Sequence, residues 1–333
     1  MKCSEVIIIG GGPAGSTCAW KLKQHNVDCI LLDSQLFPRV KLCAGWITPE
    51  VVDKLELSDY PNIQMNESYV NFFGINKKIN RESYVIRRYE FDDWLIKRSG
   101  VTVYHHKVHK INRQNGFYII DDEFKCKYLV GAGGSHCPVY ISLFKHLHPR
   151  NKNCLVCCME QEIKYDHKEK VSRSWFYENN IHGYSWCISK KNGYLNIGFG
   201  GLFKDKKVNV KEHWDYLTHK LDELDIVKNY KFKPKGYTYF TRDRVDHCRI
   251  DNAFIIGDAA GLATKDLGEG IGPAVESGIR AADSIINNTK FSLHSIPKRN
   301  DPIVLRALYF LWRIINIFSR GKSSKLSVRQ VNN

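Results

Sequence analysis

Three groups of residues have types and spacings that could do chemistry. The first is Gly10-x-Gly12-Pro13-Ala14-Gly15, a glycine-rich run of the kind that brings backbone N–H groups against a phosphate. The second is Lys41-x-Cys43-Ala44-Gly45, a thiol flanked by Arg39 and Lys41 in a loop punctuated by Pro38, Gly45 and Pro49. Cationic neighbours suit a reactive cysteine, and a buried loop thiol has the same spacing. The third is Gly257-Asp258-Ala259-Ala260-Gly261, followed by Leu267-Gly268-Glu269-Gly270-Ile271-Gly272. So many glycines around one acid exceed what a structural turn needs, so this stretch reads as ligand contact.

The surrounding elements decide what these groups mean. Val6-Ile7-Ile8-Ile9 is a strand buried on both faces, and it runs through the first glycines into a helix over Ser16 to Gln24. Gly10 makes the tight turn, Gly12 admits a pyrophosphate, and Gly15 lets helix and strand pack closely. A second strand, 28–33, ends in Asp33, 18 residues beyond Gly15, where a carboxylate accepts hydrogen bonds from a ribose diol. Together these predict a dinucleotide site. Tyr128-Leu129-Val130-Gly131-Ala132-Gly133-Gly134 is a further strand ending in glycines. No helix is read after it, so Gly133 is assigned to crowding the ligand of the first site. Asp258 lies at the carboxyl end of strand 252–256, and a helix over Pro273 to Ile286 follows the second glycine cluster. Arg87 or Arg88 stands at the start of another helix, with Phe91 and Trp94 facing inward. A cation there opposes the helix dipole, which suits an arginine that faces an anion as well as a solvated one.

Elsewhere the pattern is extended. Residues 61–87 read as an antiparallel excursion with a charged turn, and 101–129 as hairpin material around the Asn115-Gly116 turn. Residues 151–246 read as a mostly antiparallel sheet with one face exposed and one covering a pocket, interrupted by a helix over 211–230. The tail, Pro302 to Arg320, reads as an apolar helix with Arg306, Arg313 and Arg320 along one face. It suits a helix packed on its own core or one lying at a membrane interface.

With 333 residues, 43% hydrophobic and 26% charged, the chain has the composition of a globular protein of about two domains. The net charge of +15 favours acidic partners, but no nucleic-acid motif accompanies it. A membrane surface or an anionic ligand therefore ranks above nucleic acid. The 11 cysteines, an odd number, fall mostly in apolar patterns, as buried thiols do in a reducing compartment. With a strand at its start and no leader read before it, the expected location is cytoplasmic, with peripheral membrane contact open.

These motifs resemble the FAD-dependent geranylgeranyl reductase family, including its CbrA-like branch, within the flavoproteins of the p-hydroxybenzoate hydroxylase fold. The glycine run with Asp33 resembles the family's ADP-binding unit, and Gly257-Asp258 its second flavin motif, about 240 residues further on. Arg88-x-x-Phe91-Asp92 is similar to the family's Arg-x-x-Phe-Asp helix start. Lys41-x-Cys43-Ala44-Gly45 is similar to a K-x-C-G-G loop whose cysteine faces the isoalloxazine, with Ala44 replacing one glycine. Tyr184-x-Trp186-x-Ile188-Ser189, with Gly198-x-Gly200 after it, resembles a Y-x-W-x-F-P…G-x-G substrate motif. Its departure at Ile188 leans toward flavin halogenases, whereas Tyr184 and the Cys43 loop lean toward reductases.

The resemblance implies an α/β chain, α+β overall. It has a Rossmann-like FAD-binding domain (1–62, 86–150 and 247–290), an inserted, mostly antiparallel substrate domain (63–85 and 151–246) and a C-terminal helical segment (291–333). It implies FAD as cofactor, held by Gly10, Gly12, Pro13, Ala14, Gly15, Asp33, Lys41, Cys43, Ala44, Gly45, Arg88, Gly133, Gly257, Asp258, Gly268, Gly270 and Ile271. The activity implied is reduction of carbon–carbon double bonds in a prenyl or other apolar, lipid-like substrate, with Cys43 or Tyr184 as proton donor and Trp186 as substrate wall. Electrons would come from NAD(P)H or a ferredoxin-like redox carrier. The alternatives are a flavin monooxygenase or halogenase acting on an aromatic substrate, and a non-catalytic prenyl-lipid binding protein. The last would not need intact flavin motifs, and both are intact. No metal is expected.

Overall fold

The computed structural model describes residues 1–72, 74–165, 167–202 and 209–299. The tail helix expected over Pro302 to Arg320 lies outside the described residues. In chain order, β1 (Lys2–Ile9), α1 (Pro13–Gln24) and β2 (Cys29–Asp33) form the opening unit. Next come β3 (Trp46–Ile47), α2 (Pro49–Lys54), β4 (Gln64–Phe72), β5 (Ile75–Val85), α3 (Arg88–Ser99) and β6 (Thr102–His105). They are followed by β7 (Ile111–Gln114), β8 (Phe117–Ile120), β9 (Phe124–Gly131), β10 (Leu155–Lys164), β11 (Val171–Phe176), β12 (Gly183–Lys190) and β13 (Tyr194–Leu202). The last described elements are α4 (Val210–Glu223), β14 (Lys235–Phe240), β15 (Arg249–Ile250), β16 (Ala253–Ile255) and α5 (Ile271–Ile286).

Two sheets of eight strands result, a mixed α/β architecture. The first has the order β15-β16-β9-β1-β2-β6, with β16, β9, β1, β2 and β6 parallel to one another, β15 antiparallel to β16, and the β7–β8 hairpin attached antiparallel through β8 to β9. Val6, Ile7 and Ile8 are fully buried because both faces of β1 are covered. On one face, Val6 and Ile8 meet α1 through Ala14, Cys18 and Leu22 and α5 through Ala281 and Ala282. On the other, Ile7 and Ile9 meet Phe124, Tyr140 and Phe144. The expected hairpin reading of 101–129 is corrected at its start. Thr102–His105 pairs in parallel with β2, in register Leu31↔Val103, and the true hairpin begins at β7. A short strand at a sheet edge carries alternation on the face it shares with its neighbour, which is the same local signal a hairpin gives.

The second sheet has the order β14-β10-β13-β12-β11-β4-β5-β3 and is antiparallel except where β11 runs parallel to β4. The charged stretch 76–82, read as a turn, is part of β5, and the turn sits at Gly74 with φ +84°. Lys78 pairs with Glu67 across the two strands, so solvated cross-strand ion pairs place charge where a turn was expected. The face of this sheet expected to be exposed is covered. Trp214, Leu217 and Leu221 of α4 pack on Ile163, Cys187, Leu195, Ile197 and Phe199. That helix ends at Glu223 rather than near Tyr230. Asn209 caps its start, accepting from the N–H groups of Lys211 and Glu212 at 3.1 and 3.3 Å. Among the described residues no helix is long and apolar enough to cross a membrane.

Candidate active site

A cavity of about 1720 Å³ runs from the carboxyl edge of the first sheet to the inner face of the second. Pockets for single drug-sized ligands are commonly about 300–1,000 Å³, so this one has room for a dinucleotide and a second molecule.

At its first end lies the β1–α1 turn. Gly10 has φ +107°, and a Cβ there would meet the Ala132 carbonyl oxygen at 2.5 Å. Gly12 differs: a Cβ would face open space, with only the guanidinium groups of Arg39 and Arg88 near it, at 3.8 and 3.9 Å. The Arg88 side chain is buried and forms a two-point pair with Asp92, at 2.6 and 2.8 Å. Burial opposes its charge, but the Asp92 carboxylate, with Cys43 nearby, holds its pKa above the usual arginine range. Arg39 also reaches Asp92, at 3.4 Å. One carboxylate thus holds two cations beside a bare backbone turn at the start of α1, which is a cradle for an anionic group.

Asp33 lines the same end, where the sequence places it. Its Oδ2 accepts from the Gly11 N–H at 2.7 Å and its Oδ1 from the Gln35 N–H at 2.9 Å, so it also ties the glycine turn to β2. Pro13, Ala14 and Gly133 line the cavity as well. Gly15 and Gly257 do not line it and serve packing. A Cβ on Gly15 would meet the Gly10 carbonyl oxygen at 1.9 Å, and one on Gly257 would meet Ala14 Cβ at 3.0 Å.

The Cys43 loop forms one wall of the middle, with Lys41, Cys43, Ala44 and Gly45 all lining the cavity. Gly45 adopts φ +69° and its carbonyl accepts from the Ile86 N–H at 2.8 Å, which anchors the loop to the residue following β5. The Gly45 N–H lies 3.3 Å from Cys43 Sγ. Opposite stand Asp258, Gly268, Gly270 and Ile271 at the start of α5. Arg150, which sequence reasoning missed, clamps this end by donating to the carbonyls of Ser135, Asp258 and Ala259.

The far end is aromatic. Strand alternation puts Tyr184 and Trp186 of β12 on the inner face, while Ser185 and Cys187 face α4. Gly198 and Gly200 of β13 leave that face bare. A Cβ on Gly198 would meet Trp186 Cζ2 at 2.6 Å, and one on Gly200 would meet Cys158 Sγ at 2.5 Å. Trp186 donates to Asn196 at 2.7 Å. The hydroxyl of Tyr184 donates to the carbonyl of Leu267, and that of Tyr239 to the carbonyl of Gly268. Tyr237 stacks on Tyr239 with ring centroids 6.1 Å apart.

Two buried acids were not singled out by the sequence reading. Glu160, on β10, has its pKa pushed up to about 7 by burial, with Lys190, the Cys43 N–H, Asn196 and Tyr237 pulling the other way. Glu269, beside α5, is likewise raised to about 7 by burial, against the Gly272 and Ile271 N–H groups, with Asp258 and Asp266 adding to the rise. A carboxyl raised on folding takes up protons more readily than the unfolded chain, so its effect on stability turns unfavourable as pH rises from its unfolded value near 4.5 to about 7. Glu269→Gln keeps the acceptor for Gly272 but cannot ionise. We expect its stability relative to wild type to improve by about 3 kcal/mol between pH 5 and pH 8. Urea denaturation at a series of pH values checks this, and a constant difference would rule out a raised Glu269.

A parallel sheet with a glycine-turned helix at its carboxyl edge, facing a second sheet across one large cavity, is the fold of FAD-binding flavoproteins. Comparison with known proteins agrees at that level. Residues 8–61 match the NAD(P)-binding Rossmann-like domain family. An uncharacterized protein of Methanosarcina barkeri, Mbar_A1602, is 29% identical over 96% of this chain and 84% of its own. Protein CbrA of Escherichia coli K12 is 27% identical over 83% of this chain and 82% of its own. Among solved structures, a geranylgeranyl bacteriochlorophyll reductase-like protein of Thermoplasma acidophilum superposes with TM-score 0.70 at 18% identity, covering 94% of this chain and 84% of that one. The flavin-dependent brominase Bmp2 gives 0.65 at 17%, covering 94% and 83%. The p-nitrophenol 4-monooxygenase PnpA of Pseudomonas putida gives 0.66 at 15%, covering 86% and 82%. These likenesses establish the fold.

Proposed function

We propose that this protein is an FAD-dependent oxidoreductase that reduces carbon–carbon double bonds of a prenyl-type or other apolar substrate. The observation that carries the reading is the continuity of the cavity from the Gly12, Arg39 and Arg88 cradle, past the Cys43 loop, to the wall of Tyr184, Trp186, Tyr237 and Tyr239. The residues present fit FAD. The open space at Gly12 suits a pyrophosphate between two guanidinium groups, Asp33 suits a ribose, and the glycine-rich start of α5 beside Asp258 suits the flavin end. When bound, a reduced flavin supplies hydride, and the chain's own residues position the acceptor and exclude water. An apolar, aromatic end suits a polyene, and Cys43 borders it.

In this reading Lys41, Cys43 and Ala44 flank the ring and Trp186 walls the substrate. Electrons come from NAD(P)H or from a ferredoxin-like carrier, and the net charge of +15 suits an acidic carrier or an anionic membrane surface. The test is anaerobic. The flavin is reduced under argon, a geranylgeranyl lipid is added, and the oxidised flavin band is followed. Return of the band, with a lipid product heavier by two hydrogens, is the expected result. A flavin that stays reduced until air enters, and whose reoxidation is altered by an aromatic substrate, would give the reaction to the monooxygenase or halogenase class instead.

A further inference from the structure

The inner face of the second sheet presents three tyrosines to the cavity, and their hydroxyls are not equivalent. Those of Tyr184 and Tyr239 are committed to backbone carbonyls, of Leu267 and Gly268. A carbonyl has no proton to return, so a phenol that gave up its proton there would be left as a buried anion. Burial sets the Tyr184 hydroxyl firmly against that, raising its pKa. Tyr237 alone of the three has a titratable partner: its hydroxyl lies 3.3 Å from Glu160 Oε2.

The setting of Glu160 is built around a carboxyl that changes charge. It is 2% exposed, on the same face of β10 as Val156 and Cys158, directly behind the Cys43 loop. Its Oε1 accepts from the Cys43 N–H at 2.5 Å and from Asn196 Nδ2 at 3.4 Å. Gly198 is bare because Glu160 and Trp186 occupy its side-chain space: a Cβ there would lie 2.6 Å from Glu160 Cβ. The charged and titratable groups around the pair come from three elements and one loop. They are Cys158 on β10, Lys190 on β12, Tyr239 on β14, Cys43 in its loop, and Glu162, which is 3.8 Å from Lys190. Lys190 is buried and donates to the Ile86 carbonyl at 2.7 Å, and Glu162 is paired with Arg87 at 2.8 Å nearer the surface. Polar groups therefore continue from Glu160 outward through Lys190 to the half-buried Glu162.

We propose that Tyr237 delivers the proton of the reaction to the substrate and that Glu160, behind it, restores that proton. The assignment rests on the reductase reading above. A bound, two-electron-reduced flavin would supply hydride to one alkene carbon. The other receives the Tyr237 hydroxyl proton, so one O–H bond breaks and one C–H bond forms. The phenolate oxygen takes the carboxyl proton of Glu160 in the same event, leaving a carboxylate held by the Cys43 N–H, Asn196 and the nearby Lys190 charge. Water at the Glu162 side then reprotonates the carboxylate. Passing the proton in concert avoids an isolated buried phenolate, which the environment of Tyr237 strongly disfavours. A Glu160 carboxyl titrating near 7 is suited to giving and regaining a proton under ordinary conditions.

The test uses the full-length, flavin-loaded protein and two near-isosteric variants, Glu160→Gln and Tyr237→Phe, with two readouts. The first is infrared and needs no substrate. Buried Glu160 and Glu269 should both contribute carboxylic-acid C=O intensity below about pH 7 that fades above it; the component lost in Glu160→Gln is that of Glu160, and it should shift in frequency in Tyr237→Phe. If Glu160→Gln removes no component at any pH, or if Tyr237→Phe leaves the Glu160 component in place, the pair is overturned whatever the substrate proves to be. The second readout is the anaerobic reoxidation of reduced flavin by an apolar alkene. Tyr237→Phe should slow it by about 10²–10⁴-fold, and Glu160→Gln should abolish the fall in rate that wild type shows as pH rises through about 7. If wild type reacts and Tyr237→Phe matches it, the proton assignment is wrong and the reductase reading stands. If wild type reacts with no alkene while the infrared coupling is present, the reductase reading fails and the hydrogen-bonded pair stands.

Discussion

Gly12→Val should purify as a folded, colourless protein. The new side chain meets no backbone, because the nearest heavy atoms are the guanidinium nitrogens of Arg39 and Arg88, in ordinary van der Waals contact at 3.8 and 3.9 Å. The fold therefore has no reason to object, and circular dichroism and the melting temperature should stay close to wild type. What the valine fills is the space between those two cations and the start of α1. Excluding a pyrophosphate from it removes two charge-assisted contacts, each worth roughly 1.5–3 kcal/mol, and so weakens cofactor binding by about a hundredfold or more. The ratio of flavin absorbance at 450 nm to protein absorbance at 280 nm reads this directly. A variant as yellow as wild type would remove the pyrophosphate from this turn.

Gly15→Val, three residues on, should fail in the opposite way, by losing the fold. Its Cβ would lie 1.9 Å from the Gly10 carbonyl oxygen. That carbonyl has nowhere to retreat, since Gly10 is itself pressed against Ala132 and its N–H is held by Leu32 at 2.8 Å. The first turn of α1 would have to leave β1, and with it the packing of Ala14 and Cys18 under β1 and α5. Strain of this kind costs about 3 kcal/mol or more, a large share of a typical domain's stability. The expected result is insoluble protein, or a urea midpoint sharply below wild type. If Gly15→Val were as stable as wild type, the close helix–strand contact described here would be incorrect. The pair of variants thus separates two glycines that a motif presents as equals: one makes room for a ligand, the other for the chain itself.

That difference also marks what the sequence could show. The strand–turn–helix at β1 and α1, Asp33 at the end of β2, and the glycines before α5 are local signals, and the structure places them around one cavity. The inward alternation of Tyr184 and Trp186 was equally readable, since period-two spacing is a local property. The groups that complete the site are joined over long distances. Arg39 meets Arg88 only because Asp92 binds both. Glu160 meets Cys43 across 117 residues. In the run Met159-Glu160-Gln161-Glu162, a carboxylate looks like part of a solvated strand face. Nothing local tells that Glu160 points into the core, because its partners come from three other segments. The same holds for α4, whose apolar stripe is legible but whose seat, the back of the second sheet, is not.

The hydroxyls of Tyr184 and Tyr239 do more than decorate the wall. They reach across to the carbonyls of Leu267 and Gly268, so they fasten the second sheet to the segment that leads into α5. Two such hydrogen bonds are worth roughly 1–3 kcal/mol together. At room temperature that corresponds to an unfastened population between about one in six and one in 150. A bulky molecule entering between these edges would wait for that minority, so its association and dissociation would both be slowed by the same factor. The equilibrium constant would be untouched, and the fastening would act as a timer on exchange with the surroundings rather than as a contributor to affinity.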